Sequence, residues 1–492
     1  MSHYSRPLLT LLFLAVSTLI YGQQGSNNCF TMVAGNDATA DGSVIIAHNE
    51  DDHGKNLVNW MRVPRKQHNG GETIVVATGA EIPQVETTYG YMWLEMPGMK
   101  FADSYINEHG VVIASNACAS REDDPQLTDG GIGYWLRRLM AERASTAREA
   151  VQVAGRLIET YGYASSGRTY SVADSSEAWV LSAVHGKHWV ARRVPDEKIM
   201  VIPNYYTIRG VNLDNEAVFM GSDDLISYAH KRGWYDPEED GAFNFRQAYG
   251  HPRSLASDGN IPRKWRGLEM ISGKDFEMEA ALPFAVKPRK KVHVQDFMEV
   301  LSDHYEGTQW DDSQGYEQGD PHSHGVNSIC APHNQYGFVT QLRPYMPVDI
   351  GTVMWLAPRR PCIQPYVPWY LGMDELPGDF AQTTPAKALD NHFDAPDNMY
   401  QAAPEHAFVQ YARFANFVDN HYGELYPKIR PFKVSLQKEM FQKQNALEKK
   451  ALERYQEQPD KAMQILGDFT RRYLEKTRNF IRKMLPKENP VK

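Results

Sequence analysis

Cys29 and the run His48-Asn49-Glu50-Asp51-Asp52-His53 are the residues here whose types and spacing could do chemistry. A thiol beside carboxylates and an imidazole is a nucleophilic site. The sequence between them reads as a hairpin. Residues 30–33 are apolar. Asp41-Gly42 is a turn dipeptide, because Gly supplies the positive φ that tight turns need. Residues 44–47 form a second apolar run rich in β-branched side chains, which the polar cluster His48–Asp52 is expected to end. A hairpin returns the end of its second strand to the start of its first, so the thiol and the cluster should lie side by side.

The residues before Cys29 add to this. Arg6 gives a positive start, residues 8–20 are apolar but too short for a comfortable membrane span, and small and polar residues follow from Gly22. That is the pattern of a signal peptide over residues 1–22, with a short propeptide over 23–28. Removing both makes Cys29 the first residue, carrying a thiol and a free α-amine. With a pKa of roughly 7.7–8.0, that amine can act as general base for its own side chain. Competing readings are a lipidated anchor, half of a disulfide, and a metal site or solvated loop at His48, Glu50, Asp51 and His53. Ser26-Asn27-Asn28 lacks the aliphatic and small residues of an anchor.

This pattern resembles the cysteine-type dipeptidases of the N-terminal nucleophile (Ntn) hydrolases, relatives of penicillin V acylase, bile salt hydrolase and the secernins. Asp41-Gly42-Ser43 and His48-Asn49-Glu50-Asp51 carry the likeness, with His48 where the acylases have arginine. Further matches are Asn107-Glu108-His109-Gly110-Val111 running to Asn116, Asn204 after Val201-Ile202-Pro203, and Asn260-Ile261-Pro262-Arg263-Lys264-Trp265. Gln341 to Pro347, Val353 to Leu356 and Tyr366 to Tyr370 add family signatures.

The resemblance implies an α+β protein, an αββα sandwich of antiparallel sheets with a helical C-terminal extension. It implies catalytic roles for Cys29 (nucleophile), Asp51 (orienting it), Asn116 (oxyanion hole), Asn204 and Arg263. His48 would stand in for the arginine in substrate binding, and Arg263 could pair with a substrate carboxylate. The implied activity is hydrolysis of small peptides, namely dipeptides, by a secreted enzyme with no metal and no cofactor. The alternatives are an N-acyl amide hydrolase and a non-catalytic binding protein on the same fold.

Residues 73–78, 88–94 and 111–115 read as strands, and 133–161 as helix with Ser145 capping a second segment. Residues 169–174 and 177–181 form a hairpin, 189–194 and 199–204 add strands, and 216–234 looks helical. A helix is expected over 292–304 and strands over 325–329, 337–342 and 352–357. Helices over 406–422, 433–458 and 461–485 form a basic tail. The expected division is a catalytic domain over 29–402 and a helical region over 403–492. Asp320-Pro321-His322-Ser323-His324 reads as a solvated loop rather than a metal motif.

The chain has 492 residues, 42% hydrophobic and 23% charged, as in ordinary globular proteins. A net charge of −9 gives no support for nucleic-acid binding. No integral membrane span is expected after signal cleavage, a homo-oligomer is possible, and the expected location is periplasmic or extracellular. The 4 cysteines are Cys29, Cys118, Cys330 and Cys362, too few for a disulfide scaffold. Cys330 with Cys362 is a permissible disulfide.

Overall fold

Strands whose side chains alternate between two cores make the centre of this protein. In Val112–Ala117, Val112 and Ala114 face one core and Ile113 the other. In Ala178–Gly186, Ala178, Val180 and Val184 face the first, and Trp179, Leu181 and Ala183 the second. This period of two is what a sheet buried on both faces requires. The computed structural model describes residues 29–52, 57–101, 103–278, 281–311, 319–322, 327–395 and 405–486. Residues 1–28, where a signal peptide and propeptide are expected, and His53 and His324 lie outside them.

Two antiparallel sheets stack face to face. The seven-stranded sheet runs in the order Ala285–Val286, Ile199–Ile202, Phe30–Ala34, Val44–Asp51, Asn334–Leu342, Thr352–Pro358, Val367–Tyr370. The eight-stranded sheet runs Phe219–Gly221, Trp189–Arg193, Ala178–Gly186, Tyr163–Ala173, Val112–Ala117, Ser104–Asn107, Tyr91–Glu95, Asn59–Val63. Helices Leu136–Arg143 and Ala147–Tyr161 cover the outer face of the larger sheet. Helices Ile261–Ser272 and Val294–Leu301 pack against the smaller one. At its Val367–Tyr370 edge lie the C-terminal helices Ala407–Asp419, Tyr422–Tyr455 and Pro459–Met484. The layers are helix, sheet, sheet, helix, the αββα sandwich that the resemblance implies.

Several local expectations change. The second strand of the opening hairpin does not stop at the polar cluster. It continues through His48, Asn49 and Glu50 to Asp51, all buried, because it is sandwiched between Phe30–Ala34 and Asn334–Leu342. The connection is longer than a tight turn. It contains the short 3-10 turn Asn36–Ala38, and Asp41 accepts from Ser43 N at 3.2 Å and Ser43 Oγ at 2.6 Å. Gly42 still supplies a positive φ, 76°.

The cap of Ala147–Tyr161 is Thr146, whose side chain accepts from Glu149 N, not Ser145. Residues 216–234 hold a strand, Phe219–Gly221, and a shorter helix, Leu225–Lys231. The strand expected over 73–78 shrinks to Thr73–Val75 in a small ribbon with Glu81–Pro83. The strand expected at 325–329 is absent from its described part, 327–329.

Candidate active site

The hairpin sets the geometry. Phe30 pairs with Asn49 and Thr31 with His48, so the end of Val44–Asp51 lies beside Cys29. Cys29 Sγ donates to Glu50 Oε1 at 3.1 Å and lies 3.6 Å from the Asp51 carbonyl. The thiol is buried. Burial first, then the Glu50 and Asp51 carboxylates, hold it well above its ordinary pKa. This favours the protonated thiol at rest, and a nucleophilic role would need a base to take its proton during attack.

Below the thiol runs a chain of buried polar groups. Glu50 Oε2 lies 3.1 Å from His48 Nε2, and His48 Nδ1 lies 2.7 Å from Thr31 Oγ1. Thr31 donates its one hydroxyl proton to Asn116 Oδ1 at 2.6 Å. It must then accept from His48 Nδ1–H, which leaves a single proton between His48 Nε2 and Glu50 Oε2. His48 is fully buried in this chain. The expectation that it binds substrate is not met by this geometry: the imidazole links Glu50 to Thr31 beneath the nucleophile.

Arg263 is the second organiser. It opens the helix Ile261–Ser272 with Pro262 in the first turn, where a missing N–H costs nothing. Its guanidinium is fully buried and spans several acceptors. Nη1 donates to the Cys29 carbonyl at 3.1 Å. Nη2 donates to Asn204 Oδ1 at 3.0 Å and Asn260 Oδ1 at 2.8 Å, and Nε to the Gly259 carbonyl at 2.7 Å. The expected pairing with a substrate carboxylate is therefore replaced by an internal clamp that holds Cys29 and Asn204 on one planar fork.

Asn116 and Asn204 differ in what they can still offer. Both ends of the Asn116 amide have protein partners: Oδ1 accepts from Thr31 and Nδ2 lies 3.4 Å from the Ile202 carbonyl. Asn204 Oδ1 is fixed by Arg263, while its buried Nδ2 has no hydrogen-bond partner among the described residues. Asn116 Nδ2 thus keeps one N–H and Asn204 Nδ2 both for an oxyanion. Asp51 sits beyond Cys29. Its Oδ1 accepts from Asn334 Nδ2, and its Oδ2 is buried with no partner among the described residues. Burial, opposed by Arg263, pushes its carboxyl up to about 8.

The site thus assembles Cys29, Asp51, Asn116, Asn204 and Arg263, as the sequence suggests, and adds Glu50, Thr31, Asn260 and Asn334. Asn260 stands in the same motif as Arg263, which could have pointed to it. Thr31 and Asn334 carry no signal by type or spacing.

Next to Asn204 and Arg263 lies a cationic cluster. Arg246 Cζ lies 4.5 Å and Lys264 Nζ 5.7 Å from the centroid of the Tyr205 ring. Burial, then Arg246 and Arg209, hold the Lys264 ammonium well below its ordinary value, and burial, opposed by Arg246 and Arg209, pushes the Tyr205 phenol up to about 12. Among the described residues, no carboxylate pairs with Arg209, Arg246 or Lys264, and Arg209 Nε and Tyr205 OH have no hydrogen-bond partner.

A separate group of titratable side chains lies behind the site. His304, His322, Cys330 and Cys362 are buried, with one donor atom of each within 4.8 Å of the others. The solvated-loop reading of residues 320–324 fails at His322. Both cysteines are free thiols, so the permissible disulfide is not formed.

The model of peptidase family C69 matches residues 28–423. A probable dipeptidase from Salmonella dublin is 29% identical over 388 residues, covering 75% of this chain and 86% of that protein. A dipeptidase from Bifidobacterium longum (strain NCC 2705) is 29% identical over 409 residues, covering 74% and 75%. The structure of penicillin V acylase from Agrobacterium tumefaciens shares 13% identity, covering 67% of this chain and 86% of that one at a TM-score of 0.30, too remote a likeness to bear on the chemistry.

Proposed function

This chain belongs to peptidase family C69, a family of peptide-bond hydrolases, and on that premise we propose that it is an exported dipeptidase whose nucleophile becomes its first residue. The observation that carries the reading is the double hold on Cys29: its thiol rests on Glu50 and its carbonyl on the Arg263 fork that also fixes Asn204.

The proposed reaction follows from these contacts. The chain is trimmed to Cys29. The thiol attacks the dipeptide carbonyl carbon and passes its proton to the Cys29 α-amine. The thiol stays protonated at rest, and the amine, with a pKa of roughly 7.7–8.0, is a competent base near neutral pH. The orphaned Asp51 Oδ2 supports this reading, as an acceptor suited to the ammonium once the amine is free. The oxyanion takes the spare Asn204 Nδ2 donor. Collapse breaks the C–N bond, the ammonium returns its proton to the leaving amine, and water then hydrolyses the thioester with the amine again as base.

Dipeptides are favoured because a length-restricted enzyme must read a terminal charge. Arg246 and Arg209 offer cations beside Asn204 with no described acid to neutralise them, which suits a free carboxylate. Arg246→Ala is expected to raise KM for a dipeptide about tenfold, the loss of roughly 1.4 kcal/mol, and to leave the matching dipeptide amide nearly unchanged. Steady-state kinetics on acid and amide pairs decide this. Equal losses on both would remove the carboxylate reading. Wild-type turnover of acylated amides in preference to dipeptides would favour an acyl amidase instead.

A further inference from the structure

From the buried group His304, His322, Cys330 and Cys362 we infer a tetrahedral zinc site, structural rather than catalytic, that braces the strands carrying the active site.

The donor set and its spacing are those of such a site. His304 Nε2 and His322 Nε2 are 3.2 Å apart. His322 Nε2 is 3.7 Å from Cys330 Sγ and 3.7 Å from Cys362 Sγ. Zinc bonds of about 2.3 Å to sulfur and about 2.0–2.1 Å to nitrogen give tetrahedral edges of about 3.3 Å between nitrogens and about 3.6 Å between nitrogen and sulfur. The observed edges match these, and all four donor atoms lie within 4.8 Å of one another.

The outer contacts aim the ligands. His322 Nδ1 lies 3.0 Å from Asp419 Oδ1 and 3.0 Å from Asp320 Oδ1. His304 Nδ1 lies 3.1 Å from Glu306 Oε1. Each imidazole thus donates its Nδ1–H to a carboxylate, the arrangement that fixes the tautomer of a zinc-binding histidine. Both Nε2 lone pairs then face each other across 3.2 Å with two thiols alongside. Four soft or borderline donors converge in a dry site, and a cation between them would take all four lone pairs at once. Two thiolates neutralise a divalent one, and the Cys₂His₂ set selects zinc over hard ions.

The site joins distant segments. His304 follows the helix Val294–Leu301, Cys330 precedes the strand Asn334–Leu342, and Cys362 follows Thr352–Pro358. Asp419 ends the helix Ala407–Asp419, and its Oδ2 also accepts from Arg360 Nη2 at 2.8 Å. Arg360 lies against the carbonyl of Asn334, whose side chain holds Asp51. Asn49 Nδ2 donates to the carbonyl of Ile329, next to Cys330, at 2.9 Å. A metal here would pin Asn334–Leu342, the strand beside the one that carries Glu50 and Asp51, and its next neighbour Thr352–Pro358, with no open position for substrate.

The test uses the full-length protein purified without chelator. Elemental analysis is expected to find about one zinc per chain, and the Cys330→Ser, Cys362→Ser double variant to lose it. That variant can fail to fold, so the wild type is also exchanged with cobalt(II). Absorption showing thiolate-to-cobalt charge transfer and the intense d–d bands of tetrahedral cobalt is expected. Chelation should then raise the count of titratable thiols by two and lower the unfolding temperature. Absence of zinc together with no thiolate–cobalt spectrum overturns the inference. So does a Cys330–Cys362 disulfide in the active protein, or zinc retained in the folded double variant.

Discussion

Arg263 shows how far a residue's type alone can mislead. A guanidinium in a hydrolase motif invites pairing with a substrate carboxylate, yet this one is buried and holds the Cys29 carbonyl and the amides of Asn204 and Asn260. Arg263→Lys keeps the charge and loses the fork. One lost charge-assisted hydrogen bond is worth about 1.5–3 kcal/mol, or about one to two decades in kcat/KM. Because the bonds are internal, the loss is expected to be the same for a dipeptide and for its amide, in contrast to Arg246→Ala. Matched kinetics of the two variants separate positioning from recognition.

Asp51 gives a second residue-scale prediction, for the chain that still carries residues before Cys29. Burial first holds this carboxyl above its ordinary value, at about 8. The folded chain therefore keeps a proton there that the unfolded chain releases above about 4. Between those values the folded state binds more protons, so its stability falls as pH rises. Asp51→Asn should flatten that slope. Urea midpoints at pH 5 and pH 8, on protein whose mass includes residues before Cys29, check it; equal slopes in both proteins would mean that Asp51 titrates normally.

Between elements, a buried ionic contact helps fasten the long C-terminal helix Tyr422–Tyr455 to the sandwich. Arg343 Nη1 and Nη2 reach the two oxygens of Glu448 at 2.7 and 2.8 Å. Tyr370 OH and Gln444 Nε2 add bonds to Oε1 at 2.9 and 2.8 Å. Removing one partner of a buried pair leaves the other charge unsatisfied, at a cost of about 3–5 kcal/mol. Glu448→Ala is expected to destabilise by that order, and the Glu448→Ala, Arg343→Met pair by less than the sum of the singles. Chemical denaturation of the set measures the coupling; additive losses would show the contact to be peripheral. The same helix shows a limit of sequence reading. Its expected start at 433 avoids Pro427 and Pro431, but Tyr422–Tyr455 runs through both. Burial of Leu425, Ile429, Leu436 and Met440 outweighs the missing backbone bonds.

At the scale of the molecule, an α+β protein with antiparallel sheets was legible because hairpin alternation and helical periodicity are local, while the αββα layering came from the family resemblance. That Cys29 meets an acidic run was legible, because a hairpin returns the His48–Asp52 cluster to the start of its first strand. Which acid touches it was not. A slip of one residue along a strand exchanges its two faces, and Glu50 meets the thiol while Asp51 meets Asn334. The Cys₂His₂ group was hidden because its members are scattered from 304 to 362, with no close cysteine pair to announce them.

The central claim is that Cys29 acts as an N-terminal residue. N-terminal sequencing of the purified, catalytically active protein tests it most directly. The account predicts a chain that begins at Cys29, with activity proportional to the fraction so processed. An active protein that still carries Gln23 to Asn28 would contradict it.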